Sequence, residues 1–149
     1  MVSFSDTLDY SHQNLTDEGA VEILNSVENS HQITNFQLDS TSLINIPQNI
    51  EKFQSLITIE LSNNRLCQLP AAIGSLKNLK NIYLKNNSLD DFSLPKQFEM
   101  LKQLEMINLG GNRFKQFPTQ LFELFNLREI YLGSNQITHL SNQFRTLTK

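Results

Sequence analysis

Residues 69–89 read LPAAIGSLKNLKNIYLKNNSL and contain an unusual apolar rhythm. Leu76, Leu79, Ile82, Leu84 and Leu89 are separated by three, three, two and five positions, which fits neither an amphipathic helix nor a simply alternating strand. Only the two-residue gap is typical of one face of a strand. A stretch that mixes periods in this way indicates a composite unit, and such a unit is expected to recur along the chain.

The same rhythm occurs at four other places. LITIELSNNRL from Leu56, LEMINLGGNRF from Leu104 and LREIYLGSNQI from Leu127 align with LKNIYLKNNSL from Leu79, and ITNFQLDSTSL from Ile33 joins them. The separations between these starts are 23, 23, 25 and 23 residues. The second half of the unit also repeats, since IPQNIEKF, LPAAIGSL, LPKQFEML and FPTQLFEL each place one of the chain's four prolines at the same position.

This pattern resembles the leucine-rich repeat superfamily, in the 23-residue form with a proline in the second half of the repeat. The resemblance implies an α/β fold, a right-handed solenoid in the shape of an arc, with a parallel concave β-sheet and short 3-10, helical or extended segments on the convex side. The stretch NLTDEGA near the N-terminus resembles the ribonuclease-inhibitor-like repeat class. We therefore predict a single domain, 1–149, with an N-terminal capping unit at 1–32 and repeats at 33–55, 56–78, 79–103, 104–126 and 127–149.

Each element of the unit has a physical interpretation. In the strand, Ile82 and Leu84 should point inward, while Asn81, Tyr83 and Lys85 point outward. In the capping unit, Thr16 and Asp17 are predicted N-caps of a helix. The apolar stripe of that helix is predicted to be Ala20, Ile23, Leu24 and Val27.

One asparagine recurs three residues after the last strand leucine, at Asn64, Asn87, Asn112 and Asn135. A buried amide can satisfy backbone groups that the turn leaves unpaired, so we predict that this column is structural and bonds to the next unit as a ladder. Thr41 takes the place in the first repeat, where the ladder should be weaker because a hydroxyl lacks the second donor of an amide.

Unit 79–103 is longer than the other repeats. The two extra residues of unit 79–103 fall in LDDFSLP, where Phe92 is predicted at the usual apolar site, with Ser93 and Leu94 as the insertion. The bulge beside Asp90 and Asp91 is either a tolerated insertion or a binding feature.

The last unit would leave an open end of the core, for which three arrangements are considered. Fraying with partial cover by Phe144 and Arg145 is favoured over further chain or a second copy of the chain. The apolar residues at this end are Leu132, Ile137, Leu140, Phe144 and Leu147.

Composition argues against several functions. The net charge is −3 and the twelve Lys and Arg residues are scattered, which does not fit nucleic-acid binding. The sequence shows no apolar run long enough for a membrane span and no secretory signal pattern. Cys67 stands alone, so a cytoplasmic location is expected, or delivery into a host cell if the source is bacterial.

No catalytic, metal or cofactor site is expected. His12, His31 and His139 lie in different units, without a spacing that would join them to Cys67 or to a carboxylate as a metal site or proton relay. The Gly110-Gly111 pair lies in a turn after a strand and does not open a helix toward phosphate.

The candidate binding surface is formed by outward strand residues in the second half of the sheet. Tyr, Met and Arg are enriched at the centres of protein interfaces, and Arg65 and Arg113 are expected beside the tyrosines. Gly110 and Gly133 should leave room for a partner. The alternative is that the tyrosines are there for their β propensity. The predicted protein-binding residues are Glu60, Tyr83, Lys85, Met106, Asn108, Glu129 and Tyr131.

The resemblance implies a non-enzymatic module for protein-protein interaction, of the scaffold, adaptor or secreted-effector type, with a small GTPase, a phosphatase or a ubiquitin-system component as partner. The alternative is a substrate-targeting array of a larger enzyme, such as a ubiquitin ligase or a kinase. We expect a monomer, or a weak dimer through the open C-terminal end; end-to-end polymerisation is a third possibility.

Overall fold

A computed structural model describes residues 6–138, which form six units around one parallel sheet. The strands pair in sequence order, so each unit contacts only its neighbours in the sheet. This is the predicted solenoid arc, and the fold class is confirmed. The strands are β1 (Thr7–Asp9), β2 (Asn35–Gln37), β3 (Thr58–Glu60), β4 (Asn81–Tyr83), β5 (Met106–Asn108) and β6 (Glu129–Tyr131).

The register of the sheet follows the repeat. Leu8 pairs with Phe36 at a separation of 28 residues, as the longer N-terminal unit requires, and Ile59 pairs with Ile82 at the 23-residue separation. Each strand residue therefore stands beside its equivalent in the next unit. Outward side chains form columns across the sheet, and inward ones form the core.

Four short 3-10 segments of the repeats lie on the side opposite the sheet, and each of them begins directly after a proline. The four prolines have φ between −61° and −71°, the value that the pyrrolidine ring fixes. Gly74 allows two of these segments to approach closely, because a Cβ there would lie 2.3 Å from the Gln97 carbonyl oxygen. The segments are Gln48–Lys52, Ala71–Ser75, Lys96–Met100 and Thr119–Glu123.

The N-terminal unit contains the helix α1 (Asp17–Ser26). The Thr16 side chain caps it by accepting a hydrogen bond from the Gly19 N–H at 3.1 Å. Ala20 and Leu24 are buried. The predicted helix is confirmed, although Asp17 does not cap it. Asp17 Oδ1 instead accepts from the backbone N–H groups of Ile44 and Asn45 at 2.9 and 3.2 Å and so joins this unit to the first repeat.

The core follows the sequence rhythm. Leu76, Leu79, Ile82, Leu84 and Leu89 are all at most 1% exposed. Burial of a side chain of this size contributes about 1.5–3 kcal/mol relative to exposure, so the repeated apolar positions supply the main stabilisation of the stack.

The first residue of each Asn-Asn pair lies in a column with left-handed backbone. Asn63 and Asn86 have φ of 56°, and the equivalent Gly111 has φ of 67°. Asparagine and glycine tolerate this region better than other residues. The Asn86 Nδ2 also donates to Asn63 Oδ1 at 2.9 Å. The column is His12, Ser40, Asn63, Asn86, Gly111 and Ser134.

The second asparagine of each pair forms the ladder. Asn87 Nδ2 donates to the carbonyl of Leu84 in its own unit at 3.1 Å and to that of Leu61 in the preceding unit at 3.0 Å. Asn87 Oδ1 accepts from the Leu66 N–H at 3.0 Å. The bonds between units therefore run to the preceding unit, which supplies the Leu66 N–H and the Leu61 carbonyl, and not to the next unit as predicted. The pattern repeats at Asn64, Asn112 and Asn135.

Thr41 continues the ladder only in part. Its hydroxyl lies 2.9 Å from the Leu38 carbonyl oxygen and 3.0 Å from Asn64 Oδ1, so the side-chain bonds found for it stay within the first two repeats. At this position the N-terminal unit is joined through the backbone, since the Leu15 N–H donates to the Thr41 carbonyl at 3.0 Å.

The insertion differs from the prediction. Leu94 is 4% exposed and fills the core site, whereas Phe92 is 93% exposed, so the assignment of Phe92 to the apolar position is wrong. Leu94 directly precedes Pro95, as Leu69 precedes Pro70, and thus keeps the same relation to the 3-10 segment. Ser93 fixes the alignment because its backbone carbonyl accepts from the Leu69 N–H at 2.9 Å and its Oγ bonds to the Cys67 carbonyl at 2.6 Å.

The described residues end within the last unit. Leu132 and Ile137 are half-buried and pack against the core. The predictions for Leu140, Phe144, Arg145 and Leu147 lie outside the described residues. Within residues 6–138, no helix has both the length and the apolar character needed to cross a membrane.

Candidate functional site: the outward face of the sheet

The parallel register brings the predicted binding residues onto one face, here called the sheet face and defined by the outward side chains of β1–β6. Tyr83 pairs with Asn108, which pairs with Tyr131, and Met106 lies beside Asn81 and Glu129 in the adjacent column. Lys85 is exposed two residues after Tyr83. The central column runs Asp9, Gln37, Glu60, Tyr83, Asn108 and Tyr131.

Two of the predicted binding side chains also support the backbone. Glu60 Oε1 accepts from the Ser62 N–H at 2.8 Å, and Asn108 Oδ1 accepts from the Gly110 N–H at 3.0 Å. Asp9 makes the same bond to the Ser11 N–H at 2.9 Å. A side-chain oxygen in this column therefore stabilises the turn after the strand, a role that sequence reasoning missed. The signal in the sequence was an Asp, Glu or Asn that lies three residues before the position with left-handed backbone.

Tyr131 and Glu129 act as a pair on the sheet face. The Tyr131 hydroxyl donates to Glu129 Oε2 at 2.9 Å, and the Tyr131 side chain is 52% exposed. This hydrogen bond and the negative charge of Glu129 raise the pKa of the Tyr131 phenol above its ordinary value. The bond holds the ring in one orientation at the surface. Residues two apart on a strand share a face, and that spacing could have revealed the pair.

The two glycines expected to leave room for a partner differ. Among residues 6–138, and leaving out its two chain neighbours, no atom lies within 4 Å of the Cβ position at Gly133. At Gly110, which is buried, a Cβ would lie 3.2 Å from Asn108 Oδ1 and 3.3 Å from the Gly133 carbonyl oxygen. The open space is therefore beside Tyr131, and not beside Asn108.

Some charged residues considered for the sheet face also have neighbours outside the predicted binding group. In the first half of the face, which carries the carboxylates of Asp9, Asp39 and Glu60, Asp39 Oδ2 lies 3.5 Å from His12 Nε2. Arg113 lines a hollow at the edge of the molecule with Phe92 and Lys115. Whether Arg113 also flanks the tyrosines stays a prediction.

The residues considered for chemistry are spread over the fold. Cys67 is exposed, and His31 lies in a short 3-10 segment (Ser30–Gln32) away from the sheet face. Among residues 6–138, no three His, Cys, Asp or Glu side chains are grouped so that they could hold a metal ion. His139 lies outside the described residues.

The comparisons with known proteins agree on the fold. A family model described as a leucine-rich repeat region matches residues 8–149. A solved leucine-rich repeat protein of Leptospira interrogans is 33% identical, with a TM-score of 0.74, over 78% of this chain and 29% of that one. A chain of the octameric complex of Latrophilin 3, Unc5D and FLRT2, in which FLRT2 supplies the leucine-rich repeats, is 20% identical, with a TM-score of 0.80, over 99% of this chain and 45% of that one.

This chain spans less than half the length of either solved structure. No curated protein sequence matches it. The fold is one that serves generally in protein-protein interaction, and the chain belongs to the leucine-rich repeat family.

Proposed function

We propose that the second half of the sheet face binds a protein partner and that the chain acts as a non-enzymatic interaction module. The observation that carries this proposal is the group formed by Tyr83, Met106 and Tyr131 on adjacent strands. With strands about 4.8 Å apart, the two tyrosines are separated by roughly 10 Å, with Asn108 between them. Large amphipathic side chains at this spacing suit the centre of a protein interface.

The surroundings of these side chains favour binding over chemistry. Glu60 and Glu129, the carboxylates closest to the group in the register, bond to the Ser62 N–H and to the Tyr131 hydroxyl respectively. Their hydrogen bonds hold the turn and the tyrosine ring in place. A surface that is already ordered loses less conformational entropy when a partner docks, which increases affinity without further contacts.

The partner proposed for this face offers apolar atoms to the tyrosines and polar groups to their rims. Tyr131 is exposed and adjoins the open space at Gly133, so a partner side chain can enter beside its ring. Lys85 is exposed at the edge of the same group and can pair with a carboxylate of the partner.

The test is an affinity capture from lysate of the source cell, or of a host cell if the source is a pathogen, with bound proteins identified by mass spectrometry. The variant is Tyr83→Ala/Tyr131→Ala. The matched control is Gln37→Ala/Thr58→Ala, which alters outward residues of the first half of the same sheet. Circular dichroism and urea unfolding must show that both variants remain folded.

We expect a partner that the wild type and the Gln37→Ala/Thr58→Ala control retain and that the tyrosine variant loses. Direct titration of that purified partner should then show a loss of affinity of at least about tenfold, as expected for truncation of interface hot spots. Equal capture by the wild type and the tyrosine variant would exclude the tyrosines from the binding surface and refute the proposal.

A further inference from the structure

The charge of the chain is divided unequally along the stack of units. The N-terminal unit and the first repeat, residues 6–55, contain eight Asp and Glu residues and one lysine. Residues 56–138 contain seven Asp and Glu residues and nine Lys and Arg residues. Because the strands pair in chain order, this difference in the sequence becomes a separation of charge from the β1 end to the β6 end.

The lysine of the acidic part does not offset the carboxylates on the sheet face. Lys52 belongs to the 3-10 segment Gln48–Lys52 on the opposite side. Its Nζ lies 3.2 Å from the Val27 carbonyl oxygen and 5.4 Å from the centroid of the Phe53 ring. The negative charge at the β1 end of the sheet face is therefore not neutralised by a lysine or arginine of the same two units.

Two carboxylates carry this charge onto the sheet face, Asp9 on β1 and Asp39 just after β2. Asp9 is exposed, and the hydrogen bond from the Ser11 N–H at 2.9 Å holds the pKa of its carboxyl below the ordinary value. Asp39 lies beside His12, which carries a charge only when it is protonated. Lys85 leans the other way, since its Cγ is 3.9 Å from the Cβ position of Gly110 in the following repeat.

The spacing of the outward residues suits a helix that lies across the strands. Neighbouring strands are about 4.8 Å apart and an α-helix rises 5.4 Å per turn, so such a helix presents about one turn to each unit. The distance of roughly 10 Å between Tyr83 and Tyr131 is close to the rise of seven helical residues. An extended segment repeats its side-chain direction only about every 6.6 Å and loses this correspondence after two units.

We infer that the partner presents an amphipathic helix to the sheet face, with apolar residues over Tyr83 and Tyr131 and with Lys or Arg residues over Asp9 and Asp39. This inference rests on the proposed function, since it names the segment that the same face binds. The basic residues belong to the last turns of the helix, where they also interact favourably with its dipole, so its C-terminus points to β1. Apolar contact supplies the affinity, and the charges set the direction.

The test is an NMR titration of the ¹⁵N-labelled protein with a designed helix. The five spacings from β1 to β6 make about 24 Å, the length of about sixteen helical residues. The probe peptide has this length, with Leu and Phe along one stripe of its first two turns and Lys and Arg along the same stripe of its last two. Three companions carry Glu in place of Lys and Arg, the basic residues in the first two turns, or an interior proline that breaks the helix.

The charge variant is Asp9→Asn/Asp39→Asn. Asn108 shows that an amide oxygen suits the position of Asp9, because it accepts the equivalent bond from the Gly110 N–H. The matched control is Glu22→Gln/Glu51→Gln, which removes the same charge from exposed residues of α1 and of the segment Gln48–Lys52. Circular dichroism verifies that both variants are folded.

We expect saturable shifts along β1–β6 with the probe peptide and an affinity that falls as salt is added. Asp9→Asn/Asp39→Asn should weaken binding about three- to tenfold, as the loss of two exposed ion pairs predicts, while Glu22→Gln/Glu51→Gln leaves it unchanged. Tyr83→Ala/Tyr131→Ala should weaken it by at least about tenfold.

The inference is overturned by an absence of saturation up to about 1 mM. Equal binding of any companion peptide, or unchanged binding by Asp9→Asn/Asp39→Asn, would also overturn it. If capture from lysate depends on Tyr83 and Tyr131 in these cases, the proposed function stands and only the helix and its charges are wrong. If capture does not depend on the tyrosines, the proposed function itself fails.

Discussion

Asn64 and Asn87 occupy the same repeat position, but loss of their side chains should reduce stability by different amounts. Asn87 Oδ1 accepts from one backbone N–H, that of Leu66. Asn64 Oδ1 accepts from two, those of Thr41 and Leu43, at 3.1 and 3.0 Å, and also lies within hydrogen-bond distance of the Thr41 hydroxyl. Substitution of each asparagine with alanine therefore leaves different numbers of N–H groups without an acceptor.

The carbonyl partners contribute less to this difference because they are shared. When Asn87 is removed, the Leu61 carbonyl keeps the bond from Asn64 Nδ2, and the Leu84 carbonyl keeps the bond from Asn112 Nδ2. When Asn64 is removed, the Leu38 carbonyl retains the Thr41 hydroxyl. The cost is thus determined by the N–H groups that lose the Oδ1 acceptor.

A buried group left without its hydrogen bond costs about 1–3 kcal/mol. With one N–H affected, Asn87→Ala should lower the free energy of unfolding by about 2 kcal/mol, and with two affected, Asn64→Ala should lower it by about 4 kcal/mol. Asn78 is exposed and donates one bond to the Gln54 carbonyl, so Asn78→Ala serves as the control, with an expected loss below about 1 kcal/mol.

The assay is urea unfolding followed by far-ultraviolet circular dichroism, with calorimetry to test whether the array unfolds in one step. The slope of the free energy against urea concentration should stay constant among the variants, since repeat arrays can otherwise lose single units. A loss for Asn87→Ala equal to or greater than that for Asn64→Ala would refute the reasoning from unsatisfied N–H groups.

Three further predictions concern Gly111 and Gly133, the insertion and the N-terminal unit. Gly111→Ala should lower the unfolding free energy by at least about 1 kcal/mol, because φ is 67° there and a Cβ would lie 2.2 Å from Asn86 Oδ1. Gly133→Ala should change it by less than about 0.5 kcal/mol in the same urea assay, because a Cβ there contacts none of residues 6–138 beyond its chain neighbours. Leu94→Ala should cost about 2–4 kcal/mol and Phe92→Ala less than about 0.5 kcal/mol, and the reverse order would restore Phe92 to the core. Burial disfavours the charged form of Asp17, but the hydrogen bonds from Asn45 and Ile44 outweigh this effect and lower its pKa. The stabilisation by Asp17 is therefore present above the pKa of the unfolded chain and is lost as the pH falls through the pKa of the folded protein. Urea midpoints measured between about pH 5 and pH 2 should fall more steeply for the wild type than for Asp17→Asn, and parallel curves would contradict this.

Much of the candidate site follows from the sequence because strands in a repeated unit pair with their equivalents. Once Leu79 was aligned with Leu104, Tyr83 had to stand beside Asn108 and Met106 beside Asn81. The composition of the sheet face was therefore predictable. Whether Tyr83 and Tyr131 form a binding surface is still a prediction, since it depends on the partner.

The sequence alone determined the fold, the column of each outward residue and the buried asparagine position, because a fixed period forces every unit into the same local path. Only the tertiary structure decided between Phe92 and Leu94, since the hydrogen bonds from Leu69 N–H and Ser93 Oγ set how the longer unit aligns with its neighbour. It also placed Asp17 and Asp91 on the backbone N–H groups of the following unit. The physical reason is the same in each case. Hydrogen bonds between units depend on which N–H and carbonyl groups face one another after stacking, and the residue pattern of a single unit does not contain that information.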